Sequence, residues 1–475
     1  MTTEQQQAGF LPDAAPSGST SAWFRPTLVA CVAAGLVVRL LFVSLVRFPR
    51  IANDATFFRQ VGANLAAGRG FDSTSVLHPG HLAATASHPP LFPVLLSIFD
   101  LLGLTSVTAQ RVALAVVGCT AVLVMGLLGR RVAGPGVGVV AAGIAALDPF
   151  WLQPIGTLMS ESIYLILIPL VLLLALRCWE RPTPWRFVIF GVVIGLAVLT
   201  RSEAIALVVL LGVPVVLLAS VPWKQRGLLA LVLLIGLSLM LGPWLIRNEV
   251  QVGGAVLSDQ EGVTLAGAYC DETFDPHNAT FGSFSGFCAD AIAAYFFKSV
   301  KPPDPATGWT EVSLDHTLTT FSENFARSHL GDLPRVVLAR EASTWGLGNQ
   351  GFQLDLAVSG GRNRTYEQIG GVLYWISTPF VLVGLATLFI RSRRRLLVLA
   401  MPVVLVVLNV ALTYGDTRFR VAAEPTLAVL AAVGGAAIVG WIKSTLAPDA
   451  RHRAEFAVEL APPVPQANTP DGISP

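Results

Sequence analysis

The chain is poor in charged residues, and this excludes an ordinary soluble fold. Lys, Arg, Asp and Glu together make up 13% of its 475 residues, whereas hydrophobic residues make up 53%. Soluble domains carry roughly 25% charged residues. The 32 basic and 30 acidic residues leave a formal charge of only +2, so the basic surplus of a nucleic-acid-binding protein is missing as well. We predict a membrane protein that binds no nucleic acid.

Cysteine is also scarce, with five residues in the chain. Cys31, Cys119 and Cys178 lie in apolar runs, where a thiol usually packs as a small hydrophobic group. Cys270 and Cys288 lie in a polar segment that is assigned below to the outside of the cytoplasm, where disulfides persist. A disulfide between these two residues is a candidate, and two free thiols are the alternative.

Neither end of the chain has the composition of a folded element. Residues 1–24 lack the short apolar core and the small-residue cleavage site of a signal peptide, so we expect the first apolar run to be retained. Residues 447–475 are rich in Pro and Ala and then in polar residues. Such segments cannot bury enough apolar surface to fold alone. We predict disordered cytoplasmic tails at both ends.

Ten apolar runs are candidates for crossing a bilayer, which takes roughly 20 apolar residues. The runs are 27–47, 110–129, 135–153, 158–176, 185–200, 203–221, 227–246, 370–390, 396–413 and 419–441. A further stretch, 89–104, is shorter and opens with three prolines, so it is either a span or a shallow surface helix. The sequence predicts an all-α polytopic membrane protein with about ten transmembrane helices.

The Lys and Arg residues of the short loops decide between these alternatives, because cytoplasmic loops carry an excess of them. With ten spans and a cytoplasmic N-terminus, the short inner loops hold Arg130, Arg131, Arg177, Arg181, Arg186, Lys224, Arg226, Arg391, Arg393, Arg394 and Arg395. The short outer connections hold Arg201, Arg418 and Arg420. Counting 89–104 as an eleventh span would place the larger group outside. We therefore predict a juxtamembrane or re-entrant helix for 89–104, lying along the outer surface.

This topology divides the chain into membrane and outer parts. We predict an N-terminal membrane module over 25–246 with a first outer loop at 48–109, an extracytoplasmic domain over 247–369, and C-terminal membrane helices over 370–446. The mixed short patterns of 247–369 fit a small α/β domain or a largely irregular one. The sequence shows no repeat of fixed period and no paired, Gly-interrupted half-helices of the kind typical of inverted-repeat transporters.

The first outer loop opens on a polar helix start. Phe57, Phe58 and Val61 recur at helical spacing after Asn53-Asp54, which predicts an amphipathic interfacial helix with Asn53 or Asp54 as its N-cap. The simplest interpretation is that Asp54 is a cap and nothing more. The same loop, however, closes on Ser87-His88-Pro89-Pro90-Leu91, so an acidic helix start and a His-Pro-Pro element occur together.

With these two elements the chain resembles the dolichyl-phosphate-mannose protein mannosyltransferases and their bacterial relatives, including the lipid A aminoarabinose transferase. That family has an acidic residue at the head of the first outer loop and commonly a His-Pro-Pro-Leu or Lys-Pro-Pro-Leu element at its close. The resemblance implies a multispanning membrane glycosyltransferase of the GT-C fold. It also makes 25–246 the catalytic module.

Four further elements follow in the order of the resembling family. They are Leu158-Met159-Ser160-Glu161-Ser162, at the family's second acidic position, Leu199-Thr200-Arg201-Ser202-Glu203, Gly242-Pro243-Trp244-Leu245-Ile246-Arg247-Asn248, and Tyr414-Gly415-Asp416-Thr417-Arg418-Phe419-Arg420. The likeness covers the spans from about 30 to 440 but not 247–369. In the ten-span topology all of these elements lie on the outer side of the membrane.

The resemblance implies a polyprenyl-phosphate sugar as donor, and transfer to a hydroxyl then needs a base and cationic phosphate ligands. Asp54 is the candidate base, and Glu161 is a second carboxylate that orients the acceptor. The candidate donor-phosphate ligands are His88, Arg201, Arg247, Arg418 and Arg420, because guanidinium groups bind phosphate oxygens in pairs. A carboxylate pair also suits Mg²⁺ or Mn²⁺, so a divalent cation at Asp54 and Glu161 stays open, although none is required.

Each candidate has a structural alternative. Glu161 is equally consistent with a buried anchor for an arginine, and an arginine near a span end often snorkels to the headgroups. The prolines beside His88 could make that element mainly conformational. We predict a glycosyltransferase of the plasma membrane that works on the outer face. Its acceptor is a lipid, a glycan or a protein, and membrane lipids surround it. The alternatives are a transporter or flippase of lipid-linked sugars and a non-catalytic envelope-assembly subunit.

Overall fold

The computed structural model describes residues 22–48, 51, 54–74, 77, 80–303 and 308–446, and within these ranges the chain is almost entirely helical. The exception is a two-stranded antiparallel pair, β1 (Asp72–Ser73) and β2 (Ala83–Ala84), in which Asp72 is opposite Ala84. The predicted tails, apart from residues 22–24, and Asn53, one of the two predicted N-caps, lie outside the described residues. The predicted all-helical polytopic class is confirmed.

The helices of the first half, in chain order, are α1 (Phe24–Leu45), α2 (Asp54–Ala66), α3 (Leu91–Leu101), α4 (Val107–Ala133), α5 (Pro135–Leu147), α6 (Pro149–Thr157), α7 (Glu161–Glu180), α8 (Pro184–Val198), α9 (Val213–Leu217) and α10 (Trp223–Gln251). A 3₁₀ turn (Ser202–Ile205) and a π-helical turn (Val208–Gly212) lead into α9. The second half comprises α11 (Glu261–Ala268), α12 (Asp271–Phe274), α13 (Gly286–Ser299), α14 (Glu311–Ser328), α15 (Leu333–Thr344), α16 (Gln350–Ser359), α17 (Arg364–Arg391), α18 (Arg393–Leu412), the 3₁₀ turn Thr417–Ala422 and α19 (Glu424–Leu446).

Fewer helices cross a membrane at full length than the ten predicted. Seven helices are long and apolar enough within the described residues, namely α1, α4, α7, α10, α17, α18 and α19, and the pair α5 and α6, bent by 42°, makes an eighth. The other two predicted spans are present as shorter apolar helices, α8 and the interrupted Ser202–Leu217. The protein is therefore a multi-pass membrane protein. The sixth predicted span, 203–221, is interrupted by a 3₁₀ turn and a π-helical turn.

The stretch 89–104 forms α3, whose 11 residues extend for only about 16 Å and cannot cross a core of about 30 Å. Phe92 and Leu96 are buried, whereas Ile98 and Leu101 are exposed. The buried face packs against α2, where a Cβ on Gly62 would come within 3.0 Å of the Leu96 Cβ and 3.2 Å of the Pro93 carbonyl oxygen. α2 and α3 thus form one closely packed pair outside the long spans.

The bend between α5 and α6 follows from Pro149, which has no N–H to donate to the carbonyl of Ala145 four residues earlier. The Arg39 guanidinium of α1 supplies the missing donors. It donates from Nη2 to the Ala145 carbonyl over 2.8 Å and from Nη1 to the Ala146 carbonyl over 3.4 Å. Arg39 is 1% exposed. A buried cation therefore caps the C-terminal end of α5 by donating hydrogen bonds to two of its carbonyl groups.

Replacing Arg39 with Met is expected to lower stability, because two buried carbonyls would lose their donors at roughly 1–3 kcal/mol each. The thermal unfolding midpoint of the detergent-purified protein measures this effect. The matched control is Arg177→Met, because Arg177 is an exposed arginine near the end of α7. Equal thermal unfolding midpoints for the two variants would show that Arg39 does not cap the end of α5.

The segment between α10 and α17 is helical, which corrects the expectation of a small α/β or largely irregular domain. Its helices α11–α16 are short, and a disulfide joins Cys270 to Cys288 at the start of α13. Buried Arg340 of α15 ties the segment to the membrane helices by donating to the Ala411 carbonyl of α18 over 2.9 Å. Tyr269 donates to the Leu412 carbonyl over 2.8 Å. The segment is thus fixed to the end of α18.

Asp259 joins the same segment to the first loop, since its backbone N–H donates to the Ala86 carbonyl over 3.1 Å. Its side chain is 6% exposed, and among the described residues its Oδ2 has no hydrogen-bond partner. Burial first, and then the charges of Glu311 and Asp315, raise the pKa of Asp259 to about 8. The folded protein is therefore expected to hold a proton in the Asp259–Glu311 pair at neutral pH.

This proton makes stability depend on pH. The unfolded chain loses it near pH 4 and the folded chain only near pH 8, so the folded state binds more protons between these values. The free energy of unfolding is therefore expected to fall as pH rises, by up to about 1.4 kcal/mol per pH unit. Thermal midpoints between pH 5 and 8 measure the slope. Asp259→Asn should flatten it and Asp290→Asn, at an exposed residue, should not; an unchanged slope in Asp259→Asn would contradict the assignment.

Candidate active site

Asp54 is the first residue of α2 and faces the connection between α18 and α19. Its Oδ2 accepts a hydrogen bond from Arg418 Nη2 over 2.8 Å, and about a quarter of its side chain is exposed. Burial would raise the pKa of Asp54, but Arg418, and then His88 and Arg201, hold it well below its usual range. Asp54 is therefore ionised and paired across 364 positions of sequence, which is more than a helix cap requires.

Glu161 is the first residue of α7 and is 1% exposed. The chain enters α7 through Leu158, whose φ of 56° lies in the left-handed region, and this turn points Glu161 inward. Its Oε1 accepts from Arg418 Nε and, over 3.3 Å, lies beside Arg201 Nη1. Within the described part of the chain its buried Oε2 has no hydrogen-bond partner, so one oxygen is left over for a further donor.

Arg418 bridges the two carboxylates, since one guanidinium edge contacts Asp54 and the Nε contacts Glu161. The bridge is held by the Thr417–Ala422 turn, at whose start the Asp416 carboxylate accepts from the Arg418 backbone N–H over 2.8 Å. Burial would lower the pKa of Arg418, but the charges of Glu161 and Asp54 raise it well above its usual value. A permanently charged group thus connects α2, α7 and the α18–α19 connection.

Arg201 lies between α8 and the following 3₁₀ turn and is about one-tenth exposed. Its Nε donates to Glu203 Oε1 over 2.5 Å, and its guanidinium is 5.9 Å from the Tyr164 ring centroid and 5.8 Å from that of Phe419. Glu203 lies in the same Leu199–Glu203 element as Arg201, but its role as the carboxylate that fixes Arg201 was not predicted. The sequence signal that could have predicted this pair is the spacing of two residues between Arg201 and Glu203.

His88 completes the group, with Nε2 4.0 Å from Asp54 Oδ1. Its ring packs edge-on against Phe57 and tilted against Phe58, with centroids 4.9 and 5.0 Å away. Burial lowers the pKa of His88, although the charge of Asp54 opposes this. The His-Pro-Pro-Leu element is fixed to α8, because the Leu91 N–H donates to the Leu199 carbonyl over 2.8 Å.

The structure therefore brings five of the predicted site residues together. We refer to Asp54, His88, Glu161, Arg201 and Arg418 as the Arg418 cluster. With Glu203, three carboxylates face the two guanidinium groups of the cluster. Both guanidinium groups have faces or N–H groups that the carboxylates do not use, and these can bind an anion.

The other two predicted arginines lie elsewhere. Arg247 donates to the Thr85 carbonyl over 2.6 Å and to the Phe71 carbonyl over 2.8 Å, so it holds the first loop onto α10. Arg420 donates from Nε to Glu424 over 2.6 Å and stacks on the Tyr374 ring, 3.8 Å from its centroid. Sequence proximity to Arg418 suggested a shared site for Arg420, but residues two positions apart on a turn point to different sides.

The donor set fits a divalent cation poorly. Arg418 already occupies the space between Asp54 and Glu161 and contacts an oxygen of each, so a metal ion would have to displace a paired guanidinium group. In the part of the chain that the structure describes, no group of three or more His, Cys, Asp or Glu residues is arranged to hold a metal ion. We derive no step through a metal ion.

Residues 87–246 match the family model described as dolichyl-phosphate-mannose-protein mannosyltransferase. The match covers about a third of the chain and contains His88, Glu161 and Arg201. The family resemblance drawn from the sequence is thereby confirmed for this stretch. The description names a transferase that uses a polyprenyl-phosphate sugar. No curated protein sequence matches the chain.

Several solved membrane enzymes are similar in structure. The apo oligosaccharyltransferase of Archaeoglobus fulgidus is 17% identical, with 87% of this chain and 50% of that chain covered and a TM-score of 0.49. ArnT from Cupriavidus metallidurans, bound to undecaprenyl phosphate, is 16% identical, with 94% and 82% covered and a TM-score of 0.38. The chain spans about half the length of the archaeal enzyme. TM-scores below 0.5 carry no argument about mechanism.

Proposed function

We propose that this protein is a GT-C glycosyltransferase that moves a sugar from a polyprenyl-phosphate donor to an acceptor hydroxyl. The observation that carries the proposal is the Arg418 bridge, which joins the partly exposed carboxylate of Asp54 to the buried carboxylate of Glu161, with the His88 imidazole 4.0 Å from Asp54. The family match over 87–246 supports the donor class. The identity of the sugar, the carrier and the acceptor is left to experiment.

The proposed reaction is a single displacement. The acceptor oxygen attacks the anomeric carbon while its proton passes to Asp54, and the bond from that carbon to the phosphate oxygen breaks. The polyprenyl phosphate leaves with the bonding electrons, and the guanidinium groups of Arg418 and Arg201 stabilise the charge that develops on it. One displacement inverts the configuration at the anomeric carbon.

The resting pairing of Asp54 gives Arg418 a second part in this scheme. A carboxylate with a strongly lowered pKa is a weak base. When the donor phosphate draws Arg418 toward itself, Asp54 loses the partner that lowers its pKa most among the charged groups, and its basicity rises. The base is therefore expected to become effective only when the donor is bound, which limits proton transfer to the loaded state.

The proposed orientation places the Arg418 cluster on the outer face of the plasma membrane, with both termini in the cytoplasm. It is supported by the Lys and Arg bias of the short loops and by the position of the cluster at the ends of α7 and α18 that adjoin the first loop and the α11–α16 segment. Accessibility of cysteines introduced into these loops to membrane-impermeant thiol reagents would test it.

Two other functions remain as competitors, a flippase of lipid-linked sugars and a non-catalytic assembly subunit. Purified protein in liposomes, supplied with radiolabelled polyprenyl-phosphate mannose and with envelope lipid extract as acceptor, separates the three. Transfer of label to a new product supports the enzyme. Movement of the donor between leaflets without a new product would contradict the enzyme. The absence of both transfer and movement would contradict it as well. Mass analysis of glycolipids and glycoproteins from a deletion strain identifies the natural product.

A further inference from the structure

A cavity of about 500 Å³ adjoins the Thr417–Ala422 turn beside the Arg418 cluster. Thr417 and Arg420 line it, while Arg418, which lies between them in sequence, contacts Asp54 and Glu161 instead. Adjacent Cα atoms are 3.8 Å apart, so the wall of the cavity and the Arg418 cluster are neighbours. The remaining walls come from α6, α16 and the first turns of α17. Its volume lies within the range of small-molecule sites.

The cavity combines aromatic faces with uncharged polar groups. The aromatic lining residues are Phe150, Tyr366, Tyr374 and Trp375, and the polar ones include Gln350 and Gln353. Trp375 is 45% exposed at the rim, and its indole lies close to the backbone at Gly346, where a Cβ would be 3.7 Å from Nε1. The rim is therefore an open aromatic surface rather than part of the packed core.

The two charged groups that line the cavity are already neutralised by the protein. Arg420 pairs with Glu424 over 2.6 Å, and its face is covered by Tyr374. Glu367 pairs with Arg362 over 3.2 Å and accepts from Gln153 over 3.2 Å. An anionic ligand would find no unpaired cation here, and a cationic ligand would find no unpaired carboxylate. The ligand that fits is polar and uncharged.

We propose that this cavity binds a neutral carbohydrate ring. A sugar ring has apolar C–H faces that lie against aromatic side chains and hydroxyl groups that need hydrogen-bond partners. Gln350 and Thr417 offer such partners, and Gln350 is exposed at the mouth. The cavity lies beside the first turns of α17, one of the helices that are long and apolar enough to cross a membrane.

The inference deepens the proposed transfer reaction, and it rests on that reaction only for treating the bound ring as a substrate. A ring held here lies against the turn that carries Arg418, since Thr417 and Arg420 of that turn line the cavity. It belongs either to the donor, as the sugar about to be transferred, or to an acceptor glycan that offers a hydroxyl. Both sources share the chemistry of a neutral ring, and a competition experiment separates them.

Saturation-transfer NMR on the full chain in lipid nanodiscs tests the binding directly, with methyl mannoside, methyl glucoside and methyl galactoside as probes. At least one glycoside is expected to receive saturation at its ring C–H protons. Trp375→Ala should weaken binding of that glycoside about tenfold, which corresponds to about 1.4 kcal/mol. Trp375→Phe should retain most of the binding affinity. Trp441→Ala is the matched control, since Trp441 is 61% exposed on α19 and does not line the cavity.

Added polyprenyl-phosphate mannose distinguishes the sources, because displacement of the glycoside assigns the cavity to the donor sugar and joint binding assigns it to an acceptor. Inorganic phosphate should not compete. Binding of no glycoside, equal binding by Trp375→Ala and wild type, or displacement by inorganic phosphate would overturn the proposal. Because Asp54→Asn should bind the glycoside normally, failure of transfer and failure of the carbohydrate site give different results.

Discussion

Asp54→Asn is expected to lose sugar transfer by roughly a hundredfold to ten-thousandfold, the range associated with a general base. The amide has nearly the same size but cannot accept the proton of the acceptor hydroxyl at neutral pH. Binding of the donor should change little, since Arg201 and Arg418 remain. Single-turnover transfer from radiolabelled polyprenyl-phosphate mannose gives the rate, and inhibition by polyprenyl phosphate gives the binding.

The matched control for this variant is Asp355→Asn, which also removes a carboxylate that pairs with an arginine, Arg364, but in an exposed position on α16. It should transfer at the wild-type rate. Asp54→Glu restores a carboxylate and should recover part of the activity. If Asp54→Asn transferred sugar at the same rate as Asp355→Asn, the assignment of the base would be wrong and a helix cap would be the remaining role.

Arg418→Gln is expected to reduce transfer by roughly a hundredfold to a thousandfold, because removal of one preorganised donor to a developing oxyanion costs this much in other enzymes. Unlike Asp54→Asn, it should also weaken inhibition by polyprenyl phosphate, since the guanidinium is proposed to bind the phosphate group. The informative comparison is between the two variants: both should lower the transfer rate, but only Arg418→Gln should raise the inhibition constant of polyprenyl phosphate. Arg364→Gln, at the exposed arginine that pairs with Asp355, is the control.

If Arg418 had only a structural role, Arg418→Gln would give different results. Loss of the bridge would then lower the thermal midpoint and leave the inhibition constant of polyprenyl phosphate unchanged. The double variant Asp54→Asn/Arg418→Gln adds a second criterion, because groups that act in one step give non-additive effects. Additive losses in the double variant would indicate that the two residues do not work together.

The Arg418 cluster could be assembled in part from sequence because its members lie at the ends of long apolar runs. The loop-charge bias put Asp54, His88, Glu161, Arg201 and Arg418 on one side of the membrane before any contact was known, and the structure brings these five together. Their chemical roles stay predictions. The side of the membrane on which a residue lies is a property of whole helices, so hydropathy and charge can predict it.

Arg247 and Arg420 show where this reasoning ends. Both lie on the same predicted side, but the direction of a side chain depends on which carbonyl or carboxylate reaches it, and these partners come from distant sequence. The α11–α16 segment is a similar case, because its shortest helix, the four-residue α12, has too few turns for a clear apolar period. The bend at Asp148-Pro149 was not predicted, since 135–153 was expected to be one continuous span, although a proline inside an apolar run was an available signal.

The hydrogen bond from the Leu91 N–H to the Leu199 carbonyl links His88, three residues before it, to Arg201, two residues after. α8, the helix that carries this joint, has 15 residues and is about 22 Å long, which is shorter than a typical hydrocarbon core. A short helix responds to bilayer thickness by local thinning or by a change of tilt. We therefore expect lipid chain length to act on the position of α8, and the hydrogen bond between Leu91 and Leu199 would carry such a movement to His88 and Arg201 together.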